Sequence, residues 1–303
     1  MNLLETKVTL IYSKWVVGIG VQGELKPMST VVQLQNKQAT DTNTLPPKWL
    51  LISLGAGYLI SMAVILFFPG ATLIDRLRAL DGGICAQLPT HTFYPGGDRL
   101  PLCARNTGIY LGFSLGLLLT WGRGRWRVAG LPTGWVAALL LGGIALMGID
   151  GVNSLFLDMH LPHLYQPNNM LRLATGLLTG TAMVSFLVPV VNSILWKRVD
   201  TRTIYPRLRT LGLIVPVLLL AFLAVISGFG FLLYPLAIIS SVGVVLALSF
   251  INLTFIVAFT GKAERYEHVL QAFPVFTLAI VLAITELVVL FNVNHMLLQK
   301  IGA

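Results

Sequence analysis

Charge is scarce in this chain. Only 11% of its 303 residues are charged and only 12 are acidic, whereas 55% are hydrophobic and the mean hydropathy is +0.80. A water-soluble fold must cover itself with polar groups, and this composition does not supply enough of them. A soluble globular protein is therefore excluded, and the solvent implied is a bilayer. Cysteine is almost absent too: the two cysteines, Cys85 and Cys103, are too few for a disulfide framework. There is no HExxH pair and no P-loop, so neither metalloprotease nor P-loop nucleotide chemistry is written here. The net charge of +9 does not indicate a nucleic-acid partner, because the basic residues sit in short segments beside apolar runs, where membrane insertion requires them.

What is present is a succession of apolar runs, which predicts an all-α, polytopic transmembrane bundle of about seven spans. The expected spans are residues 49–68, 105–121, 128–149, 170–196, 210–226, 231–260 and 270–291. Each of the longer ones supplies about 20 residues, or about 30 Å of helix. Residues 1–48 read as a polar cytoplasmic tail, with Met28 an alternative start to Met1, and residues 49–298 as one transmembrane domain. Residues 71–80, with Asp75, Arg76 and Arg78 among apolar neighbours, predict a short amphipathic surface helix. Pro189 and Pro216 are expected to kink their helices.

Orientation follows from the basic residues, which are retained on the cytoplasmic side during insertion. Fifteen of the 21 Lys and Arg fall in the tail and in the loops at 123–127, 197–209 and 262–265. The N-terminus is therefore expected in the cytoplasm. The polar loops at 70–104 and 150–169 then share the extracytoplasmic face.

On that face a polar pocket is expected. Arg105, Asn106 and Tyr110 begin one span, Asp150 and Asn153 end the next, and Asn169 and Arg172 begin a third. Glu286 lies within the last span, where a lone carboxylate is costly unless paired, so Arg105 or Arg172 is its expected partner. Gly108, Gly112 and Gly116 repeat GxxxG, as do Gly176 and Gly180, which predicts that their two helices are direct neighbours.

The stretch from Cys85-Ala-Gln87 through Pro89-x-His91 and Gly97 to Pro101-Leu-Cys103-Ala-Arg105-x-Thr107-Gly108-Ile-Tyr110-x-Gly112 resembles a family of bacterial membrane proteins known only as domain of unknown function 2085. So do Asp150-Gly151-x-Asn153 and Pro167-Asn168-Asn169-x-x-Arg172-x-x-Thr175-Gly176, and the likeness covers about residues 80–185. It implies a membrane location and points to no particular activity. Many members place a third cysteine where this chain has Asn106, a departure that weighs against an obligatory four-ligand metal centre.

The reading preferred is binding or transport of an anionic lipid headgroup or solute, with Arg105 and Arg172 as donors and the helix N-termini assisting. Membrane lipids are the expected surroundings, and a multi-pass position in a bacterial inner membrane the expected location. A membrane-embedded enzyme with Asp150 or His91 as general base is an alternative. A metal or redox centre drawn from Cys85, His91, Cys103, His160 and His163 is another, against which a Cys85–Cys103 disulfide is the preferred reading. The last alternative is an accessory subunit of a larger membrane complex. The sequence leaves the cofactor open.

Overall fold

The computed structural model describes residues 48, 52, 55–57, 59, 70–132, 134–261 and 263–301. The tail at 1–48, the alternative start at Met28 and the first expected span at 49–68 thus lie, but for those few positions, outside the described residues.

Eight α-helices follow one another among the described residues: α1 (Leu73–Asp81), α2 (Ala104–Gly122), α3 (Gly134–Asp158), α4 (Asn169–Leu195), α5 (Leu208–Gly212), α6 (Val215–Ile226), α7 (Leu233–Thr260) and α8 (Val269–Ile301). Five segments are long and apolar enough to cross a membrane: α3, α4, α5 with α6, α7 with the turn before it, and most of α8. The protein is mostly helical, as its apolar runs predict.

α4 is the centre of the bundle. Two-thirds of its most apolar window is buried (67%), against 22–39% for the other four candidates. A helix enclosed by protein can carry small polar residues provided their hydroxyls find acceptors. Here they bond back along the helix: Thr175, Thr179, Thr181 and Ser185 each donate to the carbonyl four residues earlier at 2.7–3.0 Å.

α2 packs against α4 through the two GxxxG runs, as their spacing predicts. A Cβ on Gly112 would stand 2.5 Å from the Leu177 carbonyl oxygen, and one on Gly108 or Gly176 3.0 Å from the opposing glycine Cα. At Gly180 it would run into the Ile109 carbonyl and stand 2.6 Å from the Phe113 amide nitrogen. Gly116, the last of its series, only touches Val184 and Ile214 side chains at ordinary distance. α7 approaches the other side of α2 in the same manner, with Gly243 against the Tyr110 carbonyl.

The helices differ from the expected spans at several points. Residues 128–130, read as the start of a span, form strand β1 (Val128–Gly130), parallel to β2 (Asp200–Thr203), and α3 begins only at Gly134. Gly130 permits this, because a Cβ there would lie 2.6 Å from the Arg202 carbonyl oxygen. In the loop expected at 150–169, α3 continues to Asp158. The fifth span breaks into α5 and α6 just before Pro216, which takes the second position of α6 where its missing N–H costs nothing. Pro189 stays inside α4 and Pro274 inside α8, both unbroken. The amphipathic helix forms as α1, opened by a reciprocal Thr72–Asp75 capping box.

The basic loops meet at one end. β1 and β2 join the α2–α3 and α4–α5 connections, the Lys197 amide donates to the Tyr266 carbonyl, and Arg127 donates to the Glu267 carbonyl at 2.6 Å. The Arg127 guanidinium also lies 4.4 and 4.6 Å from the ring centres of Trp126 and Trp196. The loop from Cys85 to Cys103, the turn between α6 and α7 and the α3–α4 connection occupy the opposite end, called the site end below; there the Gly96 amide donates to the Gly228 carbonyl at 2.8 Å.

Gly180→Ala is expected to destabilise the protein by about 1–3 kcal/mol, since the opposing atoms are backbone and cannot swing aside. Gly142→Ala, where an added carbon meets nothing within 4 Å among the described residues, is expected to leave stability level or slightly raised. Thermal unfolding in a mild detergent compares the two.

Candidate functional site

At the site end the first turns of α2 and α4 and the last turns of α3 converge. Arg105, in the first turn of α2, donates through Nη2 to Asp150 Oδ2 and, at 3.1 Å, to Ser154 Oγ. Asp150 is buried, and its second oxygen accepts the Tyr165 hydroxyl at 2.9 Å. Asn153 clamps the α3–α4 connection: its Oδ1 accepts the Leu164 amide at 2.7 Å and its Nδ2 donates to the Tyr165 carbonyl at 2.9 Å. The loop that carries Tyr165 is thereby held over the ion pair.

Arg172 stands one turn into α4 and is 4% exposed. Its Nη1 donates to Asn169 Oδ1 at 2.9 Å and its Nη2 to His91 Nε2 at 3.2 Å. Asn169 in turn donates to the carbonyls of Thr90 and Thr92, which fastens the His91 turn onto the head of α4. Among the described residues no carboxylate lies within ion-pair distance of Arg172, and its buried Nε has no hydrogen-bond partner. Arg105 Nε is likewise buried and unpartnered. A buried cation donor left without an acceptor is costly, so these two nitrogens are the unsatisfied groups of the cluster.

His91 lies between charges of both signs. Burial, then the Arg172 guanidinium beside it, lowers its pKa from the ordinary 6.5, against the opposing pull of Asp158 at 3.6 Å. The hydrogen bond from Arg172 requires the neutral imidazole as acceptor.

Arg105, Asp150, Asn153, Asn169 and Arg172, expected together from the sequence, are brought together. Three other expected members are not. Tyr110 and Asn106 turn to a different side of α2, where Asn106 donates to the Ile84 carbonyl at 3.4 Å. Glu286 pairs with neither arginine; it accepts from Asn252 Nδ2 of α7 at 3.0 Å. An amide donor satisfies it across the α7–α8 interface without a cation. Cys85 and Cys103 lie together but as free thiols, with the Cys103 amide 3.2 Å from the Cys85 sulfur. His91 is with Arg172 instead, and His163 bonds to Leu161 and Gln166. Neither Cys85, His91, Cys103, His160 and His163 nor any other three His, Cys, Asp or Glu among the described residues form a metal ligand set.

As catalytic candidates Asp150 and His91 are already engaged: both oxygens of the one and Nε2 of the other accept hydrogen bonds. Residues 112–116 read G-x-S-x-G by letter, but Ser114 is inside α2 and donates to the Ile239 carbonyl, with no strand-to-helix elbow. Residues 18–23 read G-x-G-x-x-G and lie outside the described residues.

Ser154, Asp158 and Tyr165 complete the cluster without having been singled out from the sequence. The signal was present: Asp150, Ser154 and Asp158 are four apart and share a helix face once residues 150–158 are read as helix. The cavities that border the cluster are apolar. One of about 420 Å³ follows Gly148, Val152 and Phe156 with Asn153 at its rim, and one of about 570 Å³ lies beside Phe93, Asn168 and Asn169.

Fold and site together define a helical membrane protein with several candidate spans. Residues 85–186, a stretch that runs from the cysteine loop through most of α4, match the profile of a family described as "Predicted membrane protein (DUF2085)". An uncharacterized protein of Methanocaldococcus jannaschii is 27% identical over 122 residues, which are 40% of this chain and 72% of the relative. No solved structure matches. The matched stretch contains the whole Arg105–Asp150–Arg172 cluster.

His91 contributes stability as a neutral group. Its folded pKa is depressed, so that contribution is complete above the unfolded value of 6.5 and is lost as pH falls below it through the folded value. Unfolding measured from pH 8 to 5 is expected to show the protein losing stability relative to His91→Gln, which can still accept from Arg172 at every pH.

Proposed function

We propose that the site end binds an anionic group, a phosphate or carboxylate of a lipid headgroup or a solute, through Arg172 and Arg105. The observation that carries this reading is the buried Arg172 guanidinium, which has an unpartnered Nε and no carboxylate in ion-pair reach among the described residues. A guanidinium recognises oxyanions through paired, directional N–H donors, which suits a site of fixed geometry. Asp150 plays a different part, because it accepts from Arg105 and Tyr165 and so sets where the Arg105 donors face. The apolar grooves beside Asn153 and Asn169 are where acyl chains would lie if the anion belongs to a lipid. Binding, with or without transport, fits better than catalysis, because the two candidate bases already accept hydrogen bonds.

The wider arrangement belongs to the same proposal. Seven spans result if residues 49–68 and the buried 19-residue α2 cross with the five apolar segments. The basic loops, knit together by β1, β2 and the Lys197–Tyr266 bond, support a cytoplasmic opposite end and an extracytoplasmic site end. The N-terminal tail at 1–48 is then cytoplasmic and precedes a single transmembrane domain at 49–298, in the inner membrane of a bacterial cell.

Binding is measured with the protein in discs of neutral lipid, titrated with inorganic phosphate or with vesicles containing phosphatidylglycerol. Arg172→Lys is expected to weaken binding by about tenfold or more, as loss of one charged, directional hydrogen-bond pair costs about 1.4 kcal/mol or above. A response to phosphate identifies a solute site and a response only to the vesicles a headgroup site. Unchanged binding in both Arg172→Lys and Arg105→Lys would contradict the reading.

A further inference from the structure

A second cluster lies on the other side of the first turn of α2 and shares none of the anion-binding residues. Asp81, the last residue of α1, is fully buried. Its Oδ2 accepts the Ser241 hydroxyl of α7 at 2.6 Å, while its Oδ1, also buried, has no hydrogen-bond partner among the described residues. The chain turns directly above it: the Cys85 amide donates to the Asp81 carbonyl at 3.1 Å. Cys103 then returns to Cys85, its amide donating to the Cys85 sulfur at 3.2 Å. Tyr110 packs against the same group.

The two sulfurs are not equivalent. Cys85 is 6% exposed and sits among Leu80, Leu102, Val244 and Leu287. Cys103 is half-buried and is the N-cap residue of the 19-residue α2, where free amides and the helix dipole favour an anion. The neighbouring Cys103 side chain, and then burial, raise the pKa of Cys85 well above the thiol range. The neighbouring Cys85 side chain, with the Asn106 amide and the Arg105 charge, lowers that of Cys103 despite its burial. Burial raises the Asp81 carboxyl to about 7, against the Ser241 hydrogen bond.

Such asymmetry has no purpose in a bridge that only ties a loop down, since a static disulfide has no use for one half-exposed sulfur at a helix N-terminus, one withheld sulfur and a buried acid beside them. It is what thiol–disulfide exchange requires: one sulfur reactive and reachable, the other withheld, and a base for the withheld proton.

We propose that Cys85 and Cys103 form a redox-active pair that exchanges with an external disulfide, Cys103 being the attacking sulfur and Asp81 the acceptor of the Cys85 proton. The Cys103 thiolate attacks one sulfur of the incoming disulfide, whose S–S bond breaks and whose other sulfur leaves as a thiolate. Cys85 then gives its proton to the Asp81 carboxylate and attacks the Cys103 sulfur. That breaks the mixed disulfide, forms the Cys85–Cys103 bond and releases the second thiolate. Two electrons pass from the pair to the co-reactant, a disulfide reduced to two thiols. The reverse sequence oxidises a dithiol. Cys85 and Cys103 are the reacting residues; Asp81 moves the proton.

The test uses the full-length protein in detergent with glutathione and glutathione disulfide as probe, trapped by alkylation and read by mass. The pair is expected to pass from dithiol to disulfide as the glutathione ratio is varied. In Cys85→Ser, Cys103 is expected to be alkylated at pH 7 at least about tenfold faster than Cys85 is in Cys103→Ser, because the thiolate is the reactive form. Asp81→Asn should slow closure of the mixed disulfide by about tenfold while leaving the Cys103 alkylation rate unchanged, which separates a proton acceptor from a packing residue. A disulfide that stays oxidised at every ratio, thiols that never oxidise, or equal alkylation rates in the two cysteine variants would each overturn the proposal. Should Asp81→Asn accumulate poorly, the cysteine variants alone decide between these outcomes. None of the readouts involves anion binding, so failure here leaves the Arg172 reading untouched.

Discussion

The backbone of α2 lies against the backbone of α4, and the rest of the structure depends on that approach. Gly108 and Gly112 on one helix and Gly176 and Gly180 on the other clear the closest part of the contact, which lets carbonyl oxygens and Cα atoms meet where a methyl group would not fit. In lipid there is no hydrophobic gain in driving one apolar helix against another, so close packing of this kind supplies the association. It also sets register. With Gly108 opposite Gly176, the first turn of α2 is level with the first turns of α4, and Arg105 and Arg172 reach the same depth.

The first turn of α2 serves two clusters because successive residues of a helix point about 100° apart. Arg105 faces α3 and closes on Asp150. Cys103 and Asn106 face the α1 loop and meet Cys85 and Ile84. The loop from Cys85 to Cys103 therefore bridges the two sites: its middle lays His91 on Arg172, and its ends hold the sulfurs over Asp81. Gln87, Arg78 and Arg99 fix its course through hydrogen bonds to the backbone carbonyls of Pro101, Arg99 and Gln87. The sulfur pair and His91 are thus held by the same short segment.

Much of this was legible in the sequence, because its strongest signals are chemical rather than conformational. Apolar runs gave the helices, paired GxxxG runs gave the α2–α4 contact, and polar residues at span ends gave Arg105, Asp150, Asn153, Asn169 and Arg172 as one group. What escaped was set by helix boundaries and by partners remote in the chain. Reading residues 150–158 as loop concealed the face shared by Asp150, Ser154 and Asp158. Asp81 is seven residues from Ile74 and four from Leu77, hence on the buried face of α1, but only Ser241, 160 residues away, reveals that a carboxyl is tolerated there. Glu286 misled for the opposite reason: charge complementarity suggested an arginine, while α7 supplied an amide from Asn252. The parallel pairing of β1 with β2 joins two loops that no local pattern connects.

The register of α2 on α4 can be measured without disturbing the glycine contact. A Cβ at Gly116 stands 3.5 Å from the Val184 Cβ, with no backbone in the way, and falls within the usual disulfide range. Gly116→Cys and Val184→Cys are combined on a background of Cys85→Ser and Cys103→Ser, with a protease site placed in the loop at 159–168. After mild oxidation in membranes and cleavage, the account predicts that the two fragments stay joined until reductant is added. Fragments that separate under every oxidising condition would show a different register and remove the common depth on which the Arg105–Asp150–Arg172 cluster rests.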